Sequence, residues 1–222
     1  MKQNLKKVND FIKQNLKWII LIICVICFLL IVINVVNDKS MKIDIKGYDF
    51  ISTYLIKDIL TPIAKFITNF AGPIWLIIVS IILSILIKNK KVGITIWVNL
   101  LISVLFNLML KEIFRRPRPE INRLIEESGY SLPSGHSMVS MAFYGWLMYL
   151  SYKFIENKYI KWSLISILGL LIIIIGVSRI YLGVHYTTDV IGGFLISIAY
   201  LMIYIGITKK FILKEKKEKQ TK

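Results

Sequence analysis

The residues of this chain that could do chemistry fall in three short segments. Lys111 is followed, after six residues, by Arg118-Pro119. Pro133-Ser134-Gly135-His136 comes next, then Ser178-Arg179, five residues, His185, three residues and Asp189. His136 and His185 are the two histidines of the chain. Lys111, Arg118 and Arg179 supply permanent positive charge, which suits phosphoryl transfer because the transferring group spreads negative charge over its equatorial oxygens. Arginine adds a planar fork that grips two oxygens at once. Pro117 and Pro119 flank Arg118 and disfavour helix, which predicts a rigid extended stretch there. Ser134 and Gly135 precede an apolar run. Ser can cap a helix at that point, and Gly lets backbone amides approach an anion closely. His185 and Asp189 are one helical turn apart, so a helix starting near His185 puts both side chains on one face, where the carboxylate can set the imidazole tautomer.

Membrane helices must position these segments. Hydrophobic residues make up 56% of the 222-residue chain, against about 45–50% in a soluble domain. They come in long blocks, which read as six spans: Trp18–Val36, about Ile67–Ile87, Val92–Leu110, Ser137–Tyr152, Trp162–Val177 and Val190–Ile207. A bilayer core of ~30 Å needs about 20 helical residues, so the short fourth and fifth spans are expected to extend into Ser134–Gly135 and Ser178–Arg179. The first span has a basic lead-in, but its apolar run of 19 residues exceeds a signal-peptide core and no small-x-small site follows, so it reads as a retained helix. No lipidation signal is visible. After polar Asn37–Asp49, Phe50–Phe70 looks amphipathic, with Lys57, Thr61 and Lys65 recurring every four residues. This predicts a helix lying in the outer interface before the chain dives at Pro73; a single long second span is the alternative. The expected fold is all-α: one integral-membrane domain over residues 1–222, a six-transmembrane-helix bundle with an interfacial amphipathic helix between spans one and two.

A net charge of +16 would raise the question of nucleic acid in a soluble protein, but here the basic residues flank the spans. With six spans both termini share a side, and that side carries 18 of the 29 Lys and Arg against Asp10, Glu156, Glu215 and Glu218. The other side has 11 basic and 9 acidic residues. The positive-inside rule puts both termini in the cytoplasm. Counting helices then brings all three chemical segments to the outer face, where residues spread over 79 positions can meet. The lysine-rich tail after Ile207 reads as an anchor near anionic headgroups, not a nucleic-acid site, since no aromatic residue follows Phe211. Cys24 and Cys27 form a C-x-x-C in mid-span, where thiols act as small hydrophobes.

Together, Lys111-x6-Arg118-Pro119, Pro133-Ser134-Gly135-His136 and Ser178-Arg179-x5-His185-x3-Asp189 resemble the tripartite signature of the type 2 phosphatidic acid phosphatase superfamily. The resemblance runs from Lys111 to Asp189 and implies an enzyme, a membrane lipid phosphatase. It implies that His185, oriented by Asp189, attacks phosphorus to form a phosphohistidine, while His136 protonates the leaving oxygen and later activates water. It implies that Lys111, Arg118, Ser134, Gly135 and Arg179 hold the phosphate. No metal or other cofactor is expected: both histidines are committed and no acidic cluster suggests a magnesium site. Expected substrates are undecaprenyl diphosphate, phosphatidylglycerol phosphate, phosphatidic acid or diacylglycerol diphosphate. The first is favoured because the site faces outward. A non-catalytic lipid binder is the alternative from another class, and a channel or transporter is disfavoured by the absence of charge at mid-depth in spans one to five. Arg115, Arg116 and Arg123 read as interfacial anchors, Glu126 and Glu127 as loop charges, and Gly192-Gly193 as a helix-packing site.

Overall fold

The computed structural model describes the backbone of residues 2–37, 41–120 and 122–220 and the side chains of 14–37, 41–120 and 122–209. The lysine tail beyond Lys209 and the first part of the basic lead-in lie outside the described side chains. The described elements are all helical: α1 (Lys2–Asn37), α2 (Lys42–Tyr54), α3 (Thr61–Thr68), α4 (Pro73–Leu86), α5 (Lys90–Phe114), α6 (Gly135–Phe154), α7 (Lys158–Tyr181) and α8 (Thr187–Gln220). A single 3-10 turn, Asn69–Ala71, joins α3 to α4.

The helix boundaries follow from local chemistry. Asn89 caps α5 and Asn157 caps α7, each side-chain oxygen accepting two first-turn N–H groups, which offsets donors a helix start leaves unpaired. Pro62 and Pro73 open α3 and α4, where a missing N–H costs nothing. α6 begins at Gly135 and α7 runs to Tyr181, so both extend past their apolar runs as expected.

Gln14–Asn37, Lys90–Phe114, Lys158–Tyr181 and Thr187–Lys209 are each long and apolar enough to cross a bilayer. Thr61–Ala71 and Pro73–Leu86, bent by 52° at Gly72, pass only as a pair. Ile74, Ile77, Ile81 and Ile85 leave one face of α4 exposed, an apolar surface that suits lipid and not water. The chain is a multi-pass membrane protein. Its core gathers Ile96, Phe143, Trp146 and Ile175 around α6, which packs against α5, α7 and α8.

The segment after the first span differs from expectation. In place of one helix over Phe50–Phe70, α2 starts earlier, within the polar stretch, and Leu55–Leu60 separates it from α3. The reason is local. Pro62 starts a helix there instead of interrupting one, and the Tyr181 hydroxyl holds the break by accepting from Lys57 N–H (3.2 Å), donating to Lys57 C=O (3.1 Å) and pairing with Thr61 Oγ1 (2.9 Å). α2 packs against α7 and α8, and α3 against α7. Cys24 and Cys27 are free thiols within α1, Cys24 buried.

Candidate active site

Three pieces of chain meet at one end of the bundle: the non-helical residues 115–120 and 122–134 after α5, the N-terminus of α6, and the turn between α7 and α8. Backbone hydrogen bonds tie them together. Leu124 N–H donates to Leu182 C=O (3.0 Å), Ser131 N–H to Arg116 C=O (2.8 Å) and Ser134 N–H to Asp189 C=O (3.1 Å). Gly183 makes the turn before His185 with φ +70°, and a Cβ there would sit 2.6 Å from Asn122 C=O, so a side chain would be excluded on both counts. Where α8 crosses the start of α6, a Cβ on Gly193 would lie 3.1 Å from Ser134 C=O. Both glycines hold elements close, Gly193 as expected for a packing site.

His185 is almost fully buried. Its Nδ1 approaches Asp189 Oδ2 at 3.4 Å and Ser131 Oγ at 3.3 Å, and its Nε2 lies 3.2 Å from Arg118 Nη1. A guanidinium only donates, so Nε2 carries the lone pair and Nδ1 the hydrogen. Burial pushes the imidazole down to about 4, against the upward pull of Asp189, and the ring is neutral at pH 7. Asp189 is buried and saturated. Oδ2 accepts from Tyr186 N–H (2.9 Å) and Ser131 Oγ–H, and Oδ1 from Arg116 Nη1 (2.6 Å).

The three expected cations surround this pair. Arg118 is held by three backbone carbonyls, Gly129 (2.9 Å), Ser128 (2.8 Å) and Val184 (3.0 Å). Burial lowers its affinity for a proton, with Glu127 and Asp189 opposing. Arg179 donates to Thr68 Oγ1 (2.7 Å) and to Glu127. Lys111 donates to Tyr130 C=O, and its Cε lies 3.9 Å from where a Cβ on Gly135 would stand. His136 opens α6, half-buried, within electrostatic reach of Arg179, His185, Lys111 and Arg118. Ser134 is the N-cap residue of α6, but its hydroxyl accepts from Ser137 Oγ (3.0 Å) and does not cap the backbone. The structure thus brings together Lys111, Arg118, Ser134, Gly135, His136, Arg179, His185 and Asp189.

Several residues here were read differently from sequence. Arg116 is no interfacial anchor. It is 2% exposed, paired with both Asp44 (2.7 Å) and Asp189 (2.6 Å), and stacked on the Tyr186 ring at 3.9 Å. Glu127 is no free loop charge: it binds Arg179 and lies 3.6 Å from Arg118. Burial pushes its carboxyl up, but the two arginines outweigh that and hold it below its ordinary value. Ser131, Asp44 and Thr68 went unnoticed. No spacing marks a lone Ser, Asp or Thr that acts through contacts 58, 144 and 111 residues away. A cavity of about 250 Å³ lies beside His185, lined by Asp44, Tyr48, Glu120, Gly183 and Tyr186 among others. Among the described residues no three His, Cys, Asp or Glu converge as a metal-ligand set.

The sequence profile of the PAP2 superfamily matches residues 73–212. Phosphatidylglycerophosphatase B of Bacillus subtilis is 37% identical over 122 residues, which span 51% of this chain and 60% of that protein. An undecaprenyl-diphosphatase of Sulfolobus acidocaldarius is 26% identical over 200 residues, 86% of this chain and 91% of that one. Among solved structures, the transmembrane PAP2-type phosphatidylglycerolphosphate phosphatase of Bacillus subtilis superposes with a TM-score of 0.74 at 26% identity, over 86% of this chain and 96% of that one.

Proposed function

The chain belongs to the PAP2 superfamily, and on that premise we propose that it is an integral-membrane lipid phosphatase working through a phosphohistidine. It cleaves a phosphomonoester or a pyrophosphate from a lipid, without a metal. One observation carries this reading: the unprotonated Nε2 of His185 faces Arg118 while Nδ1 faces Asp189. Nε2 attacks phosphorus, the bond to the leaving oxygen breaks, and His136 gives that oxygen a proton. Nδ1 keeps its hydrogen, so the phosphorylated ring is cationic and Asp189 stabilises it. His136 then takes a proton from water, which attacks phosphorus and breaks the P–N bond. Lys111, Arg118, Arg179 and the Ser134–Gly135 start of α6 hold the phosphate oxygens and offset their developing charge, the work divalent ions do in other phosphoryl-transfer enzymes.

Six spans are the topology this reading uses: α1, the bent pair α3–α4, α5, α6, α7 and α8. α6 has twenty residues, a length of about 30 Å, and three helices surround it, so its polar side chains meet protein instead of lipid. Both termini are then cytoplasmic and the site faces outward, with α2 at the outer interface. The outward site favours undecaprenyl diphosphate. The relative with 37% identity favours phosphatidylglycerol phosphate equally. Phosphate release from a panel of lipid phosphates by purified protein in detergent separates the two. Release from neither of them, nor from phosphatidic acid, diacylglycerol diphosphate or any other lipid phosphate of the panel, removes the phosphatase reading and leaves a lipid-phosphate binder.

A further inference from the structure

Behind the nucleophile stands a buried ionic chain that the transfer chemistry itself does not touch. Asp44, on α2, is 2% exposed and accepts four hydrogen bonds: from Arg116 Nη2 (2.7 Å), Met41 N–H (3.0 Å), Thr188 N–H (2.8 Å) and Thr188 Oγ1 (2.7 Å). Four donors identify an ionised carboxylate. Two of them belong to the first turn of α8, where helix N–H groups lack internal partners, and the residue after Thr188 is Asp189. Arg116 bridges the two carboxylates, donating from Nη1 to Thr188 Oγ1 and Asp189 Oδ1. Asp44 lies before the segment that the superfamily profile matches.

A buried ion pair is a poor device for stability alone, because desolvation consumes most of its Coulomb gain. Here it does two things that bear on the nucleophile. Arg116 occupies Oδ1 of Asp189 and so turns Oδ2 toward His185. The chain Asp44, Arg116, Asp189 also sums to one negative charge beside a ring that becomes cationic when it attacks. Resting on the phosphatase reading above, we propose that Asp44 and Arg116 are positioning residues of the reaction, and that α2 thereby completes the active site. Both act through Asp189. Arg116 aims Asp189, and Asp44 fixes Arg116 and the start of α8 while supplying the charge that balances the phosphorylated His185.

Asp44→Asn tests this, since it keeps the size and removes the charge. The readouts are phosphate release from the lipid phosphate on which the wild type is most active, the rate of phosphoenzyme formation, and the unfolding midpoint in detergent. The expected kcat is about 10- to 100-fold lower, the scale on which partners of first-contact groups act. KM should stay within about twofold and phosphoenzyme formation should slow in the same proportion. Arg116→Lys, which keeps the charge but not the fork, should lose less than Arg116→Gln. In the Arg116→Gln background, adding Asp44→Asn should have little further effect, because the two act as one unit. Glu112→Gln, which removes an exposed carboxylate, should match the wild type. A lowered unfolding midpoint with unchanged kcat, or independent effects of the two substitutions, overturns the proposal. Should the Asn variant not fold, Arg116→Lys with unchanged kcat overturns it equally. A wild type that releases phosphate from no lipid phosphate overturns the phosphatase reading and this one with it.

Discussion

Replacing Asp189 by Asn removes one charge and reverses one hydrogen-bond direction at the centre of the site. The carboxylate accepts on both sides, from Arg116 Nη1 at 2.6 Å on Oδ1 and from Tyr186 N–H at 2.9 Å and Ser131 on Oδ2. An amide has one acceptor oxygen. Arg116 can only donate, so the oxygen stays on its side and the NH2 turns toward Tyr186 N–H and His185 Nδ1. The imidazole then meets a donor on each ring nitrogen, the amide at 3.4 Å on Nδ1 and Arg118 Nη1 at 3.2 Å on Nε2, and loses both the acceptor that fixes its tautomer and the carboxylate that balances its charge when Nε2 attacks. The same exchange in the serine-protease triad traps the wrong tautomer and costs about 10⁴ in kcat, roughly 5 kcal/mol of transition-state stabilisation. The expected loss here is about 10³- to 10⁴-fold. Removing one partner of a buried ion pair also lowers stability, by up to about 3–5 kcal/mol, eased because Arg116 keeps Asp44. The assay is phosphate release per folded protein, with the unfolding midpoint measured alongside. A folded variant within about tenfold of wild-type kcat would refute the tautomer reasoning.

Three further outcomes are expected. The proposed nucleophile is neutral His185, whose value in the free protein lies at about 4, so its protonation removes activity as pH falls through that value; the limb of kcat/KM set by this group should decline tenfold per unit below about 4. An acid limb near 6.5, the ordinary histidine value, would contradict the burial argument. In a chain lacking Cys24 and Cys27, a cysteine replacing exposed Glu126 should react with an impermeant reagent from outside and one replacing Glu156 should not; the reverse pattern would put the site in the cytoplasm. Turnover should survive excess EDTA and be inhibited by vanadate, which takes a five-coordinate form like the in-line transition state; loss that magnesium restores would show that Lys111, Arg118 and Arg179 do not suffice.

What could be read from the sequence, and what could not, follows from where each contact lies. Lys111, Arg118, His136, Arg179, His185 and Asp189 were legible because phosphate chemistry demands particular residue types, and the spacing survives as a pattern in the chain. The long apolar runs marked four helices long and apolar enough to cross a bilayer for a similar reason: a bilayer imposes length. Arg116 was misread because Arg115-Arg116-Pro117-Arg118 carries no period that separates a buried guanidinium from an exposed one. Glu127 was misread alike, its meaning depending on Arg179 across 52 residues. Asp44 sits in a segment that looked merely polar, and its partners lie 72 and 144 residues away. The break between α2 and α3 depends on Tyr181, over a hundred residues on. Pro62 lies at this break, but proline marks a helix start as readily as a helix end.

The most direct test of the central claim is to trap and map the covalent intermediate. Wild-type protein is quenched in alkali during turnover of a lipid phosphate labelled in the transferred group, then digested, and the labelled peptide is sequenced. The expected result is an acid-labile, alkali-stable phosphate on His185, absent from His185→Ala and formed normally in Glu112→Gln. Label on another residue, or steady turnover by His185→Ala with no bound phosphate, would contradict the assignment of His185 as the nucleophile.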